Sequence, residues 1–212
     1  SGTVTLEGQP IDENLLAKEK ICCVADEPFY FPGASLLDMK SYYSGIYPHF
    51  DEKRFGELQD VFGLPRKSPI RRFSKGMQKQ AAFHLALSTR AQVLILDEPT
   101  AGLDPQGRDD ILNCIKKLHD EMGITVILVS HSMEDVANYV DRIMVMNDGV
   151  LTFDDTPKVI FSHYKELEEI GLAAPQVTYI MQDLKNAGLD VDTSVITVDE
   201  AKAEILKALG KA

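Results

Sequence analysis

The chain has 212 residues, 44% hydrophobic and 26% charged, which suits one sizeable core or one core with a small appendage. A formal net charge of −11 argues against nucleic acid as a partner, because a phosphate backbone would be repelled. No apolar run reaches the ~18 residues of a membrane span, and no signal-peptide pattern opens the sequence. Cys22, Cys23 and Cys114 are odd in number and have no metal-ligand spacing, so free thiols in a reducing cytosol are expected.

In chain order, residues 3–6 form a short β-like run closed by the turn signal Glu7-Gly8-Gln9-Pro10. A second apolar run covers 21–24, and an aromatic loop, Phe29-Tyr30-Phe31-Pro32-Gly33, follows. Residues 35–47 read as a helix, and a second helix opens near Phe50 and ends near Gly63. Pro65 and Pro69 mark a loop, and 75–88 is helical, with Met77, Ala81, Leu85 and Ser88 at helical spacing. The stretch 34–89 is thus mostly helical.

Residues 93–96 form an all-apolar run of the kind found in buried parallel strands. Pro105 opens a helix to about Met122, as proline does at a first helical position. Residues 124–129 are another buried strand and 133–140 a short helix. Residues 143–146 and 150–153 flank Asn147-Asp148-Gly149, a strong hairpin signal. Strands alternating with helices imply a parallel α/β sheet, here with an antiparallel edge. Beyond Thr156-Pro157 the pattern is helical; in the last helix Ala201, Ile205 and Leu209 share a stripe that packs either on a partner or on its own core.

Two carboxylates, Asp97 and Glu98, end the buried strand, at the carboxyl edge where α/β sheets bind ligands. Asp97 suits Mg2+, directly or through water, and Glu98 suits orienting or deprotonating a water; the plain alternative is a core strand with solvated acids at its tip. Ser74-Lys75-Gly76-Met77-Gln78 enters a helix, where exposed N–H groups attract anions; the plain alternative is a simple N-cap at Ser74. His131 follows the strand 124–129, where a lone histidine is ordinarily structural.

Taken in order, Ser74–Gln78, Val93-Leu94-Ile95-Leu96-Asp97-Glu98, Ala101-Gly102-Leu103-Asp104 and Val129-Ser130-His131 resemble the catalytic half of an ABC-type ATPase. The resemblance implies a partial P-loop NTPase fold: a parallel-sheet core with an inserted helical subdomain and a C-terminal helical tail. It places a truncated ATPase domain over residues 1–155, the helical subdomain at about 34–89 and a helical extension at 156–212. It also implies ATP and Mg2+ as cofactors. By resemblance, Ser74, Gly76 and Gln78 belong to the signature that contacts the γ-phosphate held by the opposite subunit, with Lys75 standing between the serine and the glycine. Asp97 and Glu98 fall in the Walker B motif, Asp104 in the D-loop and His131 at the switch histidine. Cys23-Val24-Ala25-Asp26-Glu27-Pro28 resembles the Q-loop, with Asp26 where the family has a glutamine metal ligand. Either Asp26 serves the metal directly or the loop is altered.

The phosphate loop, G-x-x-x-x-G-K-[ST], does not occur in the sequence. Thr3-Val4-Thr5-Leu6-Glu7-Gly8 resembles the strand after the Walker A helix, which implies a sequence beginning past that loop; a degenerate paralogue is the alternative. Residues up to about Asp104 resemble export-type ATPases. From about Gly107, Val129–Val136, 154–161 and the tail from Ile170 resemble energy-coupling-factor importers. The expected protein is the ATP-binding and ATP-hydrolysing subunit of an ABC-type membrane transporter, inactive alone without Walker A. It is expected to be cytoplasmic and peripheral to the membrane, partnered by a transmembrane subunit and a second ATPase subunit. The alternative is a non-catalytic ABC-like subunit that pairs with a complete ATPase.

Overall fold

The computed structural model describes residues 3–211. They fall into two compact units that meet in sequence between Val129 and Ser130.

In the first unit, β1 (Thr5–Leu6) and β2 (Gln9–Pro10) pair antiparallel across Glu7 and Gly8, both at positive φ. A single helical turn, α1 (Leu15–Lys18), follows, capped by Asn14, whose side chain accepts the Ala17 N–H. No periodic apolar pattern announces so short an element. The main sheet is parallel, ordered β3 (Ile21–Val24), β4 (Val93–Asp97), β5 (Thr125–Val129). Its register sets Val24 opposite Leu96 and Asp97 opposite Val129.

Between β3 and β4 lie α2 (Leu36–Ile46), α3 (Glu52–Phe62) and α4 (Lys75–Ser88), joined by a 3-10 turn at Ile70–Arg72. Their ends are written locally. Ser35 and Asp38 form a reciprocal capping box on α2, and Asp51 caps α3 by accepting the Arg54 N–H at 3.0 Å. Gly63 ends α3 in the left-handed conformation.

The middle helix, α4, is buried on nearly all sides from Ala81 to Ser88, as an all-round apolar helix must be. Ala82, Phe83, Ala86 and Leu87 join Leu94 and Leu96 of the sheet in one core, while Ala81 and Leu85 join Leu36, Met39 and Phe55 in a second. So α4 bolts the helical insertion to the sheet. The long α5 (Pro105–Met122) begins at its proline, ends at Gly123 and contributes Ile111 to the first core.

The second unit holds α6 (Met133–Tyr139), the hairpin β6 (Ile143–Asn147) and β7 (Val150–Asp155), then α7 (Pro157–Ser162), α8 (Tyr164–Glu169), α9 (Gln176–Asn186) and α10 (Val198–Ala208). The hairpin turns through Asp148 and Gly149, both at positive φ, as its sequence predicts. It differs from the expectation in one respect: β6 and β7 form a two-stranded sheet of their own, not an edge of the parallel sheet. The core of this unit gathers Val145 of β6, Ile160 and Phe161 of α7 and Leu167 of α8 around Ala137 of α6. Ser130 to Asp155 therefore packs with the helices that follow it.

A smaller core joins Met181 of α9, Val191, Val195 and Ala201 of α10, with Ile205 partly buried against it. Of the two readings of the last stripe, the structure takes the inward one for Ala201 and Ile205, while Leu209 stays exposed.

Candidate functional site

Parallel pairing assembles the site. Since Val24 stands opposite Leu96, Asp26 and Glu98 each lie two residues past paired positions, at the same carboxyl end of the sheet. Asp97, the last residue of β4, is exposed there. Glu98 begins a turn at φ 45°, a left-handed conformation that is uncommon for a residue with a side chain. Its N–H donates to the Val129 carbonyl at 2.9 Å, and its carbonyl accepts the Ala101 N–H at 3.1 Å.

The turn carries the chain to Gly102 and Asp104. Gly102 has φ 71°, a conformation that favours glycine, and a Cβ there would lie in ordinary contact with the Lys75 side chain at 3.4 Å. A Cβ on Gly76 would lie 3.6 Å from Leu103. The start of α4 and the segment 102–103 are therefore packed together, which joins two motifs that sequence separates. Ser74 caps α4, its hydroxyl accepting the Met77 N–H at 3.2 Å. The Gln78 side-chain amide donates to the Phe73 carbonyl at 3.0 Å, and the Gln78 backbone carbonyl accepts the Tyr30 hydroxyl at 2.6 Å. Burial pushes the Tyr30 phenol well above its ordinary value, which keeps it a proton donor. Asp104 caps α5, with Oδ1 accepting the Gly107 N–H at 2.7 Å.

Sequence reading missed Lys79. It is 5% exposed, and its ammonium donates to Asp26 Oδ1 at 2.9 Å and to the Glu98 carbonyl at 2.5 Å. The signal was available in part: Lys79 stands two residues before the run buried from Ala81 to Ser88, and a cation at the edge of such a run calls for an anionic partner. Asp26 itself is half-exposed, and the structure places its Oδ1 on this lysine. His131 belongs to the second unit, two residues past β5, and is exposed beside Ser132, whose hydroxyl caps α6.

Among the described residues no group of three or more His, Cys, Asp or Glu could hold a metal ion by itself. Mg2+ needs only one or two protein carboxylates, its shell being completed by water and substrate phosphates. Asp97 and Asp26, at one end of the sheet, are the carboxylates that could hold such a cation. Likewise, an anion could meet the first N–H groups of α4 beside Ser74 and Gly76.

A three-stranded parallel sheet bearing an acidic strand tip, with a helical insertion bolted to it by α4, is the α/β P-loop NTPase fold of ABC ATPases, present here in part relative to full-length homologues. A family profile described as "AAA domain, putative AbiEii toxin, Type IV TA system" matches residues 24–135, and the chain belongs to that family. It is homologous to energy-coupling factor transporter ATP-binding proteins. It is 46% identical over 160 residues to EcfA2 of Clostridium tetani, covering 73% of this chain and 55% of that protein. It is 42% identical over 170 residues to EcfA2 of Clostridium perfringens, covering 78% and 59%. The chain thus spans little more than half the length of these relatives. The solved structure of cbiO1 from Clostridium perfringens, part of the ABC transporter complex cbiONQ, superposes with a TM-score of 0.66 at 29% identity, covering 86% of this chain and 76% of that one. An alignment of 160 residues is longer than the stretch from Gly107 to the C-terminus, so the energy-coupling-factor likeness reaches into the first half of the chain.

Proposed function

We propose that this chain is the catalytic and signature-bearing part of an ATP-hydrolysing subunit of an ABC-type membrane transporter of the energy-coupling kind. The observation that carries the reading is the β3–β4 register, which puts Asp26, Asp97 and Glu98 at one end of the sheet, together with the packed contact of Lys75–Gly76 with Gly102–Leu103. Mg2+, when bound with ATP, would neutralise phosphate charge and polarise the bond to be broken. Asp97 and Asp26 are its proposed holders. Glu98, one position beyond Asp97, orients and deprotonates the attacking water, and His131 contacts the γ-phosphate. Ser74, Gly76 and Gln78, with Asp104, serve the nucleotide of an opposing ATPase subunit, so two such subunits act together.

A transmembrane transporter subunit is the second partner, and the working place is the cytoplasmic face of the membrane; among the described residues no helix is long and apolar enough to cross it. The ATPase domain is assigned to 1–155, its helical subdomain to 34–89 and the extension to 156–212. The export-type likeness of the first half stays part of this proposal. A second reading is a non-catalytic subunit that pairs with a complete ATPase; the contact of Lys75–Gly76 with Gly102–Leu103 would serve it as well, since those motifs act on a nucleotide held by another subunit.

One pair of measurements separates the two. Calorimetric titration of the 212-residue chain with MgATP should show weak binding, because a glycine-rich loop and its lysine normally supply most phosphate contacts. When the chain is fused behind a phosphate-loop segment from an energy-coupling-factor relative, ATP turnover should appear, and Glu98→Gln should abolish it while leaving an ATP-bound dimer. Fused protein that binds ATP but turns over equally with and without Glu98 would assign the base elsewhere. Fused protein with no turnover would favour the non-catalytic reading.

A further inference from the structure

We propose that Lys79 is a positioning residue for the Glu98 turn, acting through the main chain and tying that turn to the Asp26 loop. The proposal rests on the reading of Glu98 given above. Removing an ammonium from water costs several kcal/mol, and an apolar side chain of similar volume would ordinarily serve a buried helix position as well or better. Lys79 is buried nonetheless, on the helix that forms the seam between the two cores of the first unit. What the ammonium does there is specific. It reaches Asp26 Oδ1 beyond β3 and the Glu98 carbonyl beyond β4, so one cation joins the ends of adjacent strands.

Glu98 has reason to need the bond. Its left-handed φ of 45° is costly for a side-chain-bearing residue and persists only where surroundings over-determine it. The Val129 carbonyl holds its N–H, while Ala101 and Lys79 share its carbonyl oxygen. Without Lys79 the Glu98 carbonyl loses the bond that ties it to α4. Because φ and ψ of Glu98 decide where its side chain leaves the backbone, Lys79 sets the place of the carboxylate without touching it. It also transmits: displacing Asp26 pulls on the same ammonium that holds Glu98. The first turn of α4 follows Ser74 and carries Lys75–Gln78, so Lys79 links three motifs through one helix.

The test uses Lys79→Met, Lys79→Arg and Lys79→Met/Asp26→Asn, with two readouts. In the phosphate-loop fusion, Lys79→Met should lower kcat on the order of 10- to 100-fold, as misplacement of a catalytic group does, with KM for ATP within about twofold. Lys79→Arg should recover part of the loss. The double variant, which removes the stranded charge, should melt like the parent yet stay slow. In the 212-residue chain, which needs no turnover, Lys79→Met should speed amide exchange at Ala101 and Leu103 by about tenfold while leaving β4 protected. Unchanged exchange at Ala101 overturns the proposal, as does a double variant that regains parental kcat, since the defect would then be the stray charge of Asp26. Absence of any Glu98-dependent turnover in the parent fusion would instead overturn the catalytic reading, leaving the exchange result to decide on Lys79.

Discussion

Gly107 stands in the first turn of α5 with its own cap pressed against it: a Cβ there would meet Asp104 Oδ1 at 2.9 Å. Two effects of similar size then oppose each other. Alanine in place of a helical glycine gains up to ~1 kcal/mol, and losing an aspartate N-cap costs about as much. Gly107→Ala should therefore be close to neutral in the parent protein, and stabilising by about 1 kcal/mol in an Asp104→Ala background, where nothing remains to displace. Denaturant unfolding of the four proteins in this cycle measures the coupling. A second residue-scale effect concerns His84, which is fully buried, stacked on Phe55 with ring centroids 4.2 Å apart. Its Nε2 lies 2.7 Å from the Phe55 carbonyl and so carries the proton, while Nδ1 has no hydrogen-bond partner. Burial holds this imidazole below the usual histidine value, with the Phe55 bond opposing and the Arg66 charge adding to the shift. A base whose folded pKa is depressed binds more protons when unfolded. Its stabilising contribution is complete above the unfolded value, about pH 6.5, and is lost as pH falls below it, by at most ~1.4 kcal/mol per pH unit. Melting between pH 7.5 and 5 should thus flatten in His84→Gln, which keeps a donor for the Phe55 carbonyl and cannot titrate over this range.

At the scale of elements, caps and periodicity carried most of the fold. Ser35, Asp51, Ser74 and Asp104 each accept the backbone N–H three residues ahead, and each helix starts where its cap says it should. Asn147-Asp148-Gly149 sets the hairpin for the same local reason. What local rules could not settle was the destination of an apolar stripe, because periodicity states that a face is covered and not by what. In α10 the inward face carries Ala201 against Met181, while Leu209 is 51% exposed. Ala201→Glu should therefore lower the melting temperature of the second unit, since a buried unpaired carboxylate costs ~3–5 kcal/mol. Leu209→Glu should leave both melting and sedimentation unchanged. If Leu209→Glu instead weakened self-association, the end of the stripe would be a subunit contact after all. Lys79 belongs at this scale too: its place on α4 is legible, but its partners lie just beyond β3 and β4, 53 and 19 residues away.

For the whole molecule, the consequence lies at the rim of the sheet. Among the described residues β5 has one strand neighbour, β4, and its Ile127 and Val129 are 38% and 50% exposed. Parallel sheets are ordinarily covered on both faces, and an uncovered apolar edge is a template for another strand. At ~25 cal/mol per Å2, a few hundred Å2 of such surface is worth several kcal/mol, comparable with the ~5–15 kcal/mol that holds a domain together. The 212-residue chain should accordingly self-associate at micromolar concentration in sedimentation velocity, and Ile127→Lys should shift it toward monomer. A monodisperse parent with a high, cooperative melt would contradict this. The sequence by itself determined where most helices and strands between Ile21 and Asp155 start and stop, and which short motifs carry acids, glycines and a histidine, because capping, periodicity and turn chemistry act over three or four residues. Only the tertiary structure decided that Asp26 and Glu98 share one sheet end, that a buried lysine joins them, and that the hairpin groups with the C-terminal helices. Those facts depend on parallel register and on which helix covers which strand, and both are fixed by contacts between residues tens of positions apart.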